Sequence, residues 1–373
     1  MTASKLALSD HFADLPDPRI DRTKLHSLGD LLVLALCAVI GGAESWPDIE
    51  AFGRAKHDWF KRFLALPNGI PSHDTFRRVF AALSPAKFAA CFGSWMAALC
   101  QSCGLVPIAI DGKAARRSPK ATASGCLHLV SAWAVANHLI LGQQEVAEGS
   151  NEITAIPELL RVLDLNGALV SIDAAGCQVE IAAQIRQQGG DYLLAVKGNQ
   201  PALEEACERL VLEAFENDFV GLRHDSSARI EEGHGRHEER YVTVIYDPVG
   251  LPEEWVDVKA LVAVSRERQV KGKDSSELQL YISSYRGRAK RMGGLVRGHW
   301  GIENSLHWVL DVVFREDDNR TRGDGGANLG MLRRVAVSLL KRAPGKGSLH
   351  TKRLQAGWDN DFLLEVLGGI AED

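Results

Sequence analysis

The sequence lacks an apolar run long enough to cross a lipid bilayer. Its longest run, residues 28–42, is interrupted by Gly29 and Asp30 and is shorter than the roughly 20 residues that a membrane-spanning helix needs. No targeting segment is recognisable, and no stretch is of low complexity. We therefore expect a globular cytoplasmic protein without a membrane partner, in which residues 28–42 form a buried helix.

The chain also lacks the cysteine pattern of a disulfide-stabilised or zinc-binding protein. Its seven cysteines are an odd number and several lie within apolar runs, which predicts reduced thiols in a cytosolic protein. Cys100 and Cys103 form a single CxxC without a second pair, whereas a structural zinc site has four ligands. We expect no metal ion at the cysteines.

An excess of positive charge is missing as well. The formal net charge is −5, which argues against a nucleic-acid partner, but the distribution of charge matters more than its sum. Residues 286–353 contain fifteen basic and six acidic side chains. This local excess permits a phosphate-binding surface in the C-terminal part, with a solvated helix face as the simpler alternative.

The apolar pattern predicts an α/β protein of two or three domains, since 373 residues with 46% hydrophobic content can bury a sizeable core. Helical periodicity fills the first hundred residues, and short apolar runs typical of strands follow at 106–111, 127–137, 139–147, 168–173 and 191–196. Three further strand-like runs lie at 241–246, 256–265 and 278–283. We divide the chain into an N-terminal helical domain (1–104), the first part of an α/β core (105–200), a β-rich insertion (201–290), C-terminal helices of the core (291–345) and a tail (346–373).

Two aspartates lie where apolar strands are predicted to end, Asp111 and Asp173. Residues at the carboxyl ends of strands in an α/β sheet project into the crevice where active sites form. Paired carboxylates there form a hard-oxygen site suited to Mg²⁺ or Mn²⁺. An aspartate after a strand also often only caps the next turn, so spacing alone leaves both readings open.

A third carboxylate is expected on the helix predicted at 299–313. Helical periodicity gives that helix a buried face of Ile302, Leu306, Val309, Leu310 and Val313. Glu303 and His307 lie at the border of this face, and Asp311 lies farther out. Glu316, Asp317 and Asp318 follow where the apolar period fades, and we expect them to be more exposed. Glu303 is therefore the preferred third acid.

Six motifs in the same order give the chain a strong resemblance to a known family. They are GIPSHDTF (69–76), IAIDGK (108–113), SNEITAIP (150–157), IDAAGCQ (172–178), DYLLAVKGNQ (191–200) and HWGIENSLHW (299–308). The sequence resembles the H-repeat-associated (ISAs-type) DDE transposases of bacterial insertion sequences over roughly residues 10 to 345.

This resemblance implies a ribonuclease-H-like catalytic core, a mixed sheet flanked by helices, in which Asp111, Asp173 and Glu303 form the DDE triad. It implies two bound Mg²⁺ (or Mn²⁺) ions, double-stranded DNA as transposon ends and target, a homodimer in the synaptic complex, and association with the nucleoid. The N-terminal helical domain is then expected to serve DNA binding or dimerisation. Two divalent ions suit in-line phosphoryl transfer on DNA.

The DNA contacts are less well defined by the sequence. In a wider group of transposases a Tyr, an Arg and a Lys flank the glutamate, whereas the matching positions here hold Val296, His299 and Leu310. The side chains that we expect to contact DNA are Lys197, Arg297, His299, Asn304 and His307. Trp300 and Trp308 permit base stacking, but core packing is the more common role of a helix tryptophan.

Two other functions are compatible with these residues. A Mg²⁺-dependent DNA nuclease without strand transfer would use the same three acids. An inactive, transposase-derived DNA-binding protein would not need them.

Overall fold

The computed structural model describes residues 8–99, 106–119, 126–233, 236–270 and 273–368. Cys100 and Cys103 lie outside these ranges. The chain divides into two compact units, neither of which is contiguous in sequence. Unit 1 comprises Met1–Gln101, Gly112–Gly149 and Ile302–Asp373, and unit 2 comprises Ser102–Asp111 and Ser150–Gly301.

Helices fill the described N-terminal residues, as predicted. They are α1 (Leu8–His11), α2 (Leu28–Ile40), α3 (Trp46–Ala55), α4 (His57–Phe60), α5 (His73–Ala82) and α6 (Pro85–Ala98). Ser27, Ser45 and Ser72 cap α2, α3 and α5, because each hydroxyl accepts a hydrogen bond from a backbone N–H of the first turn. The predicted buried helix is confirmed, since every side chain of α2 from Asp30 to Ile40 is buried.

An alternation of strands and helices follows. Its elements are β1 (Val106–Pro119), β2 (Cys126–Ala134), β3 (Leu139–Glu145), α7 (Glu152–Arg161), β4 (Ala168–Ile172), α8 (Val179–Gln187), β5 (Asp191–Val196) and α9 (Pro201–Glu216). Strands β1, β4 and β5 are parallel neighbours, and β2 and β3 form an antiparallel pair. The prediction that the first strand ends at Asp111 is wrong. The strand continues to Pro119, but polar residues follow Asp111, so a search for apolar runs does not recognise this part as strand.

Four long strands come next, β6 (His224–Gly233), β7 (Arg236–Tyr246), β8 (Ala260–Val270) and β9 (Lys273–Ser283). They form an antiparallel meander, and β9 pairs with β5. The predicted β-rich segment therefore extends the sheet, whose strand order is β3-β2-β1-β4-β5-β9-β8-β7-β6. The protein is a mixed α/β fold with a nine-stranded mixed sheet, in agreement with the predicted class.

The C-terminal elements are helical. They are α10 (Ala289–Ile302), a π-helical turn (Glu303–His307), α11 (Trp308–Val312), α12 (Gly323–Arg342), α13 (Leu349–Trp358) and α14 (Asn360–Gly368). The predicted helix at 299–313 therefore begins ten residues earlier than expected. The residues assigned to its buried face are buried, with Ile302, Leu306 and Leu310 fully inaccessible to solvent.

Each unit has its own core. In unit 2, Val242, Val262 and Tyr281 of the meander pack with Met292 and Val296 of α10. In unit 1, α12 is buried over sixteen consecutive residues, Gly325–Leu340. No helix of the described residues is both long and apolar enough to cross a membrane.

The basic C-terminal segment is only partly a surface. Arg333, Arg334, Lys352 and Arg353 are buried, with exposed fractions of 8% or less. The Arg353 guanidinium donates to the backbone carbonyls of Val39, Val313 and Ala43, and so binds the chain together inside unit 1. These four cations are structural, because burial removes them from contact with a phosphate backbone.

Candidate functional site

Asp111 and Asp173 come together because their strands are parallel and in register. Ile110 of β1 pairs with Ile172 of β4. Asp111 is the next residue of β1, and Asp173 directly follows the last residue of β4. Neighbouring strands lie about 4.8 Å apart, so residues that follow a register pair stay side by side. Both carboxyl groups are partly buried at this edge of unit 2.

The turn after Asp173 is shaped by a glycine. The Gly176 N–H donates to the Asp173 carboxylate at 3.3 Å. A Cβ on Gly176 would collide with the Ile172 side chain and lie 2.9 Å from Cδ1 of Ile156 in α7. Close packing of α7 against this turn therefore requires glycine and fixes the backbone that carries Asp173.

A third acid of unit 2, to which no role was assigned from the sequence, joins the pair. Ligand atoms of Asp111, Glu152 and Asp173 all lie within 4.8 Å of one another. Glu152 is the first residue of α7. An acidic side chain at that position ordinarily stabilises its helix by interacting favourably with the helix dipole. Its membership of the SNEITAIP motif was the only sequence signal for a further role.

The electrostatics of this group favour a cation. Burial, to which the neighbouring Glu152 carboxylate adds, raises the pKa of Asp173 above its usual range. The Gly176 N–H and the exposed Lys197 act in the opposite direction. Hard carboxylate oxygens gathered at one point are the donor set that Mg²⁺ and Mn²⁺ prefer. These residues therefore fit a divalent ion by the chemistry of their ligand atoms.

Glu303 belongs to unit 1 and is not a member of this carboxylate group. Its side chain is exposed, and it makes no side-chain hydrogen bond or ion pair with any described residue. It opens the π-helical turn Glu303–His307, a local irregularity that recurs at functional sites in proteins.

The acids that competed with Glu303 are all held in ion pairs. Lys113 lies 2.7 Å from Asp311 and 3.2 Å from Asp317, and Asp318 lies 2.9 Å from Arg117. Glu316 is 2% exposed and pairs with Arg334. The expectation that Glu316 is exposed is therefore wrong, because an ion pair with the buried Arg334 stabilises its carboxylate inside unit 1.

The residues predicted to contact DNA occupy different surroundings. Lys197 is exposed and close enough to Asp173 to affect its charge. Arg297 lies 3.7 Å from Glu231 of the meander. Asn304 is exposed and His307 is half-buried, both within the π-helical turn.

His299 is the exception among them, because it lies in the interior of unit 2. It is 6% exposed, and its Nδ1 lies 3.2 Å from the Ser171 hydroxyl on β4. Burial lowers the pKa of His299 to about 4, so the ring is neutral at physiological pH. In this position the ring anchors α10 to the sheet and has no charge to offer a phosphate.

The tryptophans beside Glu303 have different surroundings. Trp300 is 37% exposed, and its ring packs edge-on against the buried His299 ring at a centroid distance of 5.9 Å, as core packing predicts. Trp308 is 56% exposed, so core packing does not account for its whole ring. Its exposed part is compatible with base stacking.

Comparison with known proteins agrees with the motifs. Residues 9–96 match the family described as "DDE_Tnp_1-associated", and residues 103–340 match "Transposase DDE domain". The H repeat-associated putative transposase YhhI of Escherichia coli (strain K12) is 41% identical, and the alignment covers 97% of this chain and 98% of YhhI. The putative transposase YncI of Escherichia coli O157:H7 is 39% identical over 98% of this chain and 95% of its own length.

Among solved structures, the piggyBac transposase synaptic complex with hairpin DNA has a TM-score of 0.39 and 9% identity, over 98% of this chain and 77% of that chain. A likeness this slight carries no argument about function. The sequence relatives and the family match do, because they extend over nearly the whole chain. The chain therefore belongs to the DDE-domain transposase family and is similar to its H repeat-associated members.

Proposed function

We propose that this protein is an insertion-sequence transposase that binds the terminal repeats of its element and catalyses metal-dependent DNA cleavage and strand transfer. The observation that carries the proposal is the juxtaposition of Asp111 and Asp173 beyond a parallel register pair, in a chain whose residues 103–340 match a transposase DDE domain. Strand order and mixed pairing support the ribonuclease-H-like core that the resemblance implies.

The cofactor in this proposal is Mg²⁺ or Mn²⁺, as two ions held by Asp111, Asp173 and Glu303. When bound, such ions supply activation of a water or a 3′-hydroxyl and stabilisation of the leaving oxygen. The protein's own part is to hold the carboxylates deprotonated at fixed positions. The register of β1 and β4 and the tight turn at Gly176 support that task.

Glu303 is proposed as the third acid on two grounds. The resemblance assigns it that role, and its carboxylate is free of partners among the described residues, whereas its neighbours in sequence are ion-paired. A carboxylate already neutralised by a buried arginine, such as that of Glu316, binds a metal ion poorly because the pair must first be broken.

The proposed DNA contacts are the exposed or half-buried members of the predicted set: Lys197, Arg297, Asn304 and His307. Lys197 is favoured because it lies beside Asp173, where a phosphate in reaction would carry negative charge. The site of action is the nucleoid in the cytoplasm, and the working form is a homodimer that synapses two transposon ends.

A strand-transfer assay tests this proposal. The full-length protein is incubated with Mg²⁺, pre-cut transposon-end DNA and a supercoiled target, and joined products are quantified. We expect the wild type to join 3′-ends, and Asp111→Asn, Asp173→Asn and Glu303→Gln to lose at least a hundredfold in rate. Cleavage without joining would favour the metal-dependent nuclease, and undiminished DNA binding with no reaction by the wild type would favour an inactive DNA-binding derivative.

A further inference from the structure

The carboxylate of Glu152 is directed to the same point as those of Asp111 and Asp173, although the DDE motif does not include it. We propose that Glu152 is a ligand of the metal ion that these two aspartates hold, so that unit 2 binds one divalent ion without Glu303 and without DNA. This inference rests on the proposed function, because it presumes that the aspartates bind a divalent ion.

The spacing of the three ligand atoms suits a common ion. Oxygens bound to one Mg²⁺ at about 2.0–2.1 Å are separated by about 3 to 4 Å, according to whether they are adjacent or opposite on the octahedron. The observed atoms all lie within 4.8 Å of one another.

Glu152 is held in place independently of any ion. Its helix α7 buries Ile156, Leu159 and Leu160, each 1% exposed or less. The same helix packs against the Asp173 turn, where Ile156 leaves room for glycine alone at position 176. Helix and turn therefore form one packed body, and the carboxylates at their ends keep a fixed separation.

A role in helix stability alone does not account for this placement. An acid in the first helical turn gains about 0.3–1 kcal/mol wherever on the turn it points. Asp74 in the first turn of α5 has that role, since it is 55% exposed and pairs with Arg77 of its own helix. Glu152 instead lies half-buried with a ligand atom within 4.8 Å of those of two other carboxylates, and a shared cation would stabilise such a group.

The number of carboxylates determines how much of the ion's coordination shell the protein fills. Three carboxylates on one divalent ion leave coordination positions open for DNA phosphate oxygens and water. Glu303 is then free to bring its own carboxylate to the second ion. In this arrangement the first ion is loaded by the protein alone, and the second depends on Glu303.

Mn²⁺ binding to the DNA-free, full-length protein tests the inference. Calorimetric titration and Mn²⁺-dependent thermal stabilisation are measured for the wild type, Glu152→Gln, Asp111→Asn, Asp173→Asn and Glu303→Gln. Glu158→Gln is the matched control, because Glu158 lies on the same helix, is 56% exposed and pairs with Arg161. Glu152→Asp keeps a carboxylate and shows whether folding is disturbed at this position.

We expect Glu152→Gln and Asp173→Asn each to weaken Mn²⁺ binding at least tenfold, and Glu303→Gln and Glu158→Gln to bind like the wild type. Glu152→Asp is expected to recover part of the affinity. Wild-type affinity in Glu152→Gln, with loss in Asp173→Asn, overturns the inference and leaves the proposed function standing. Equal loss in Glu303→Gln, or no binding by the wild type without DNA, also overturns it. Wild-type affinity in both Asp111→Asn and Asp173→Asn, by contrast, overturns the proposed function itself.

Discussion

The Arg334 guanidinium lies 2.6 Å from the Glu316 carboxylate, and both side chains are buried in unit 1. Arg334 also donates to the hydroxyl of Ser131 on β2, so one cation joins α12, the turn at Glu316 and the sheet. Glu303, thirteen residues earlier, is exposed and unpaired among the described residues. Glu316 and Glu303 thus have opposite environments, which indicates a structural role for Glu316 and a chemical role for Glu303.

The first prediction follows from this contrast. Glu316→Gln leaves Arg334 as an uncompensated buried charge, so we expect a loss of about 3–5 kcal/mol in the free energy of unfolding. Glu303→Gln is expected to change it by less than about 0.5 kcal/mol, because an exposed, unpaired side chain adds little to stability. Urea titrations of both variants decide the matter, and similar midpoints would contradict the assignment of roles.

The buried imidazole of His299 predicts a pH dependence. In the folded state its pKa is lowered to about 4, whereas in the unfolded chain it titrates near 6.5. The unfolded state therefore binds more protons below pH 6.5, and stability falls as the pH falls towards 4. By pH 5 the loss is about 2 kcal/mol. His299→Gln, which lacks this titration, should show a flatter pH profile of the unfolding midpoint, and parallel profiles would refute the prediction.

Gly176 predicts a steric effect at the candidate metal centre. Gly176→Ala places a methyl group against Ile172 and Ile156, and overpacking of this kind costs about 1–3 kcal/mol. We expect lower stability and weaker Mn²⁺ binding together, because the Asp173 turn must move. Gly294→Ala in α10 is the control: a Cβ there meets nothing within 4 Å, and alanine stabilises a helix by about 0.5–1 kcal/mol over glycine.

Lys197 predicts a change in the salt dependence of DNA binding. If its ammonium contacts one phosphate, Lys197→Ala reduces affinity for all sequences alike and lowers the slope of log K against log salt by about one. Lys259→Ala, which changes a half-buried lysine just before β8 and outside the predicted contact set, should leave the slope unchanged. Fluorescence anisotropy across a salt series provides the measurement. An unaltered slope for Lys197→Ala removes it from the contact set.

Strong local patterns made parts of the fold predictable. The strand β5 was predicted with the bounds that the structure has, because an unbroken apolar run ends at Lys197. The strand β6 was missed, since its residues His224–Gly233 are almost all polar and lie at the edge of the sheet, where no apolar face is required. The start of α10 was missed because Gly293 and Gly294 weaken the helical signal.

Only part of the candidate site was predictable from the sequence. Asp111 and Asp173 could be placed together because each follows an apolar run of a predicted strand, and neighbouring parallel strands bring such positions side by side. The prediction held although β1 continues beyond Asp111, because Ile110 and Ile172 are a register pair. Glu152 could not, because its proximity depends on how α7 packs against the Asp173 turn. The burial of His299 could not be predicted for the same reason. The helical pattern around residue 299 does not show that the ring packs against β4, where it contacts the Ser171 hydroxyl.

The division of the chain into two discontinuous units has a consequence for fragments of the gene. Three of the four unit boundaries fall after Asp111, Gly149 and Gly301, each within three residues of Asp111, Glu152 or Glu303. A copy that stops shortly after residue 302 lacks α12, whose buried stretch Gly325–Leu340 fills the interior of unit 1. Such a product would leave the apolar partners of α12 uncovered in unit 1. We expect decaying copies of this gene to yield protease-sensitive chains, and not a smaller protein that retains the chemistry.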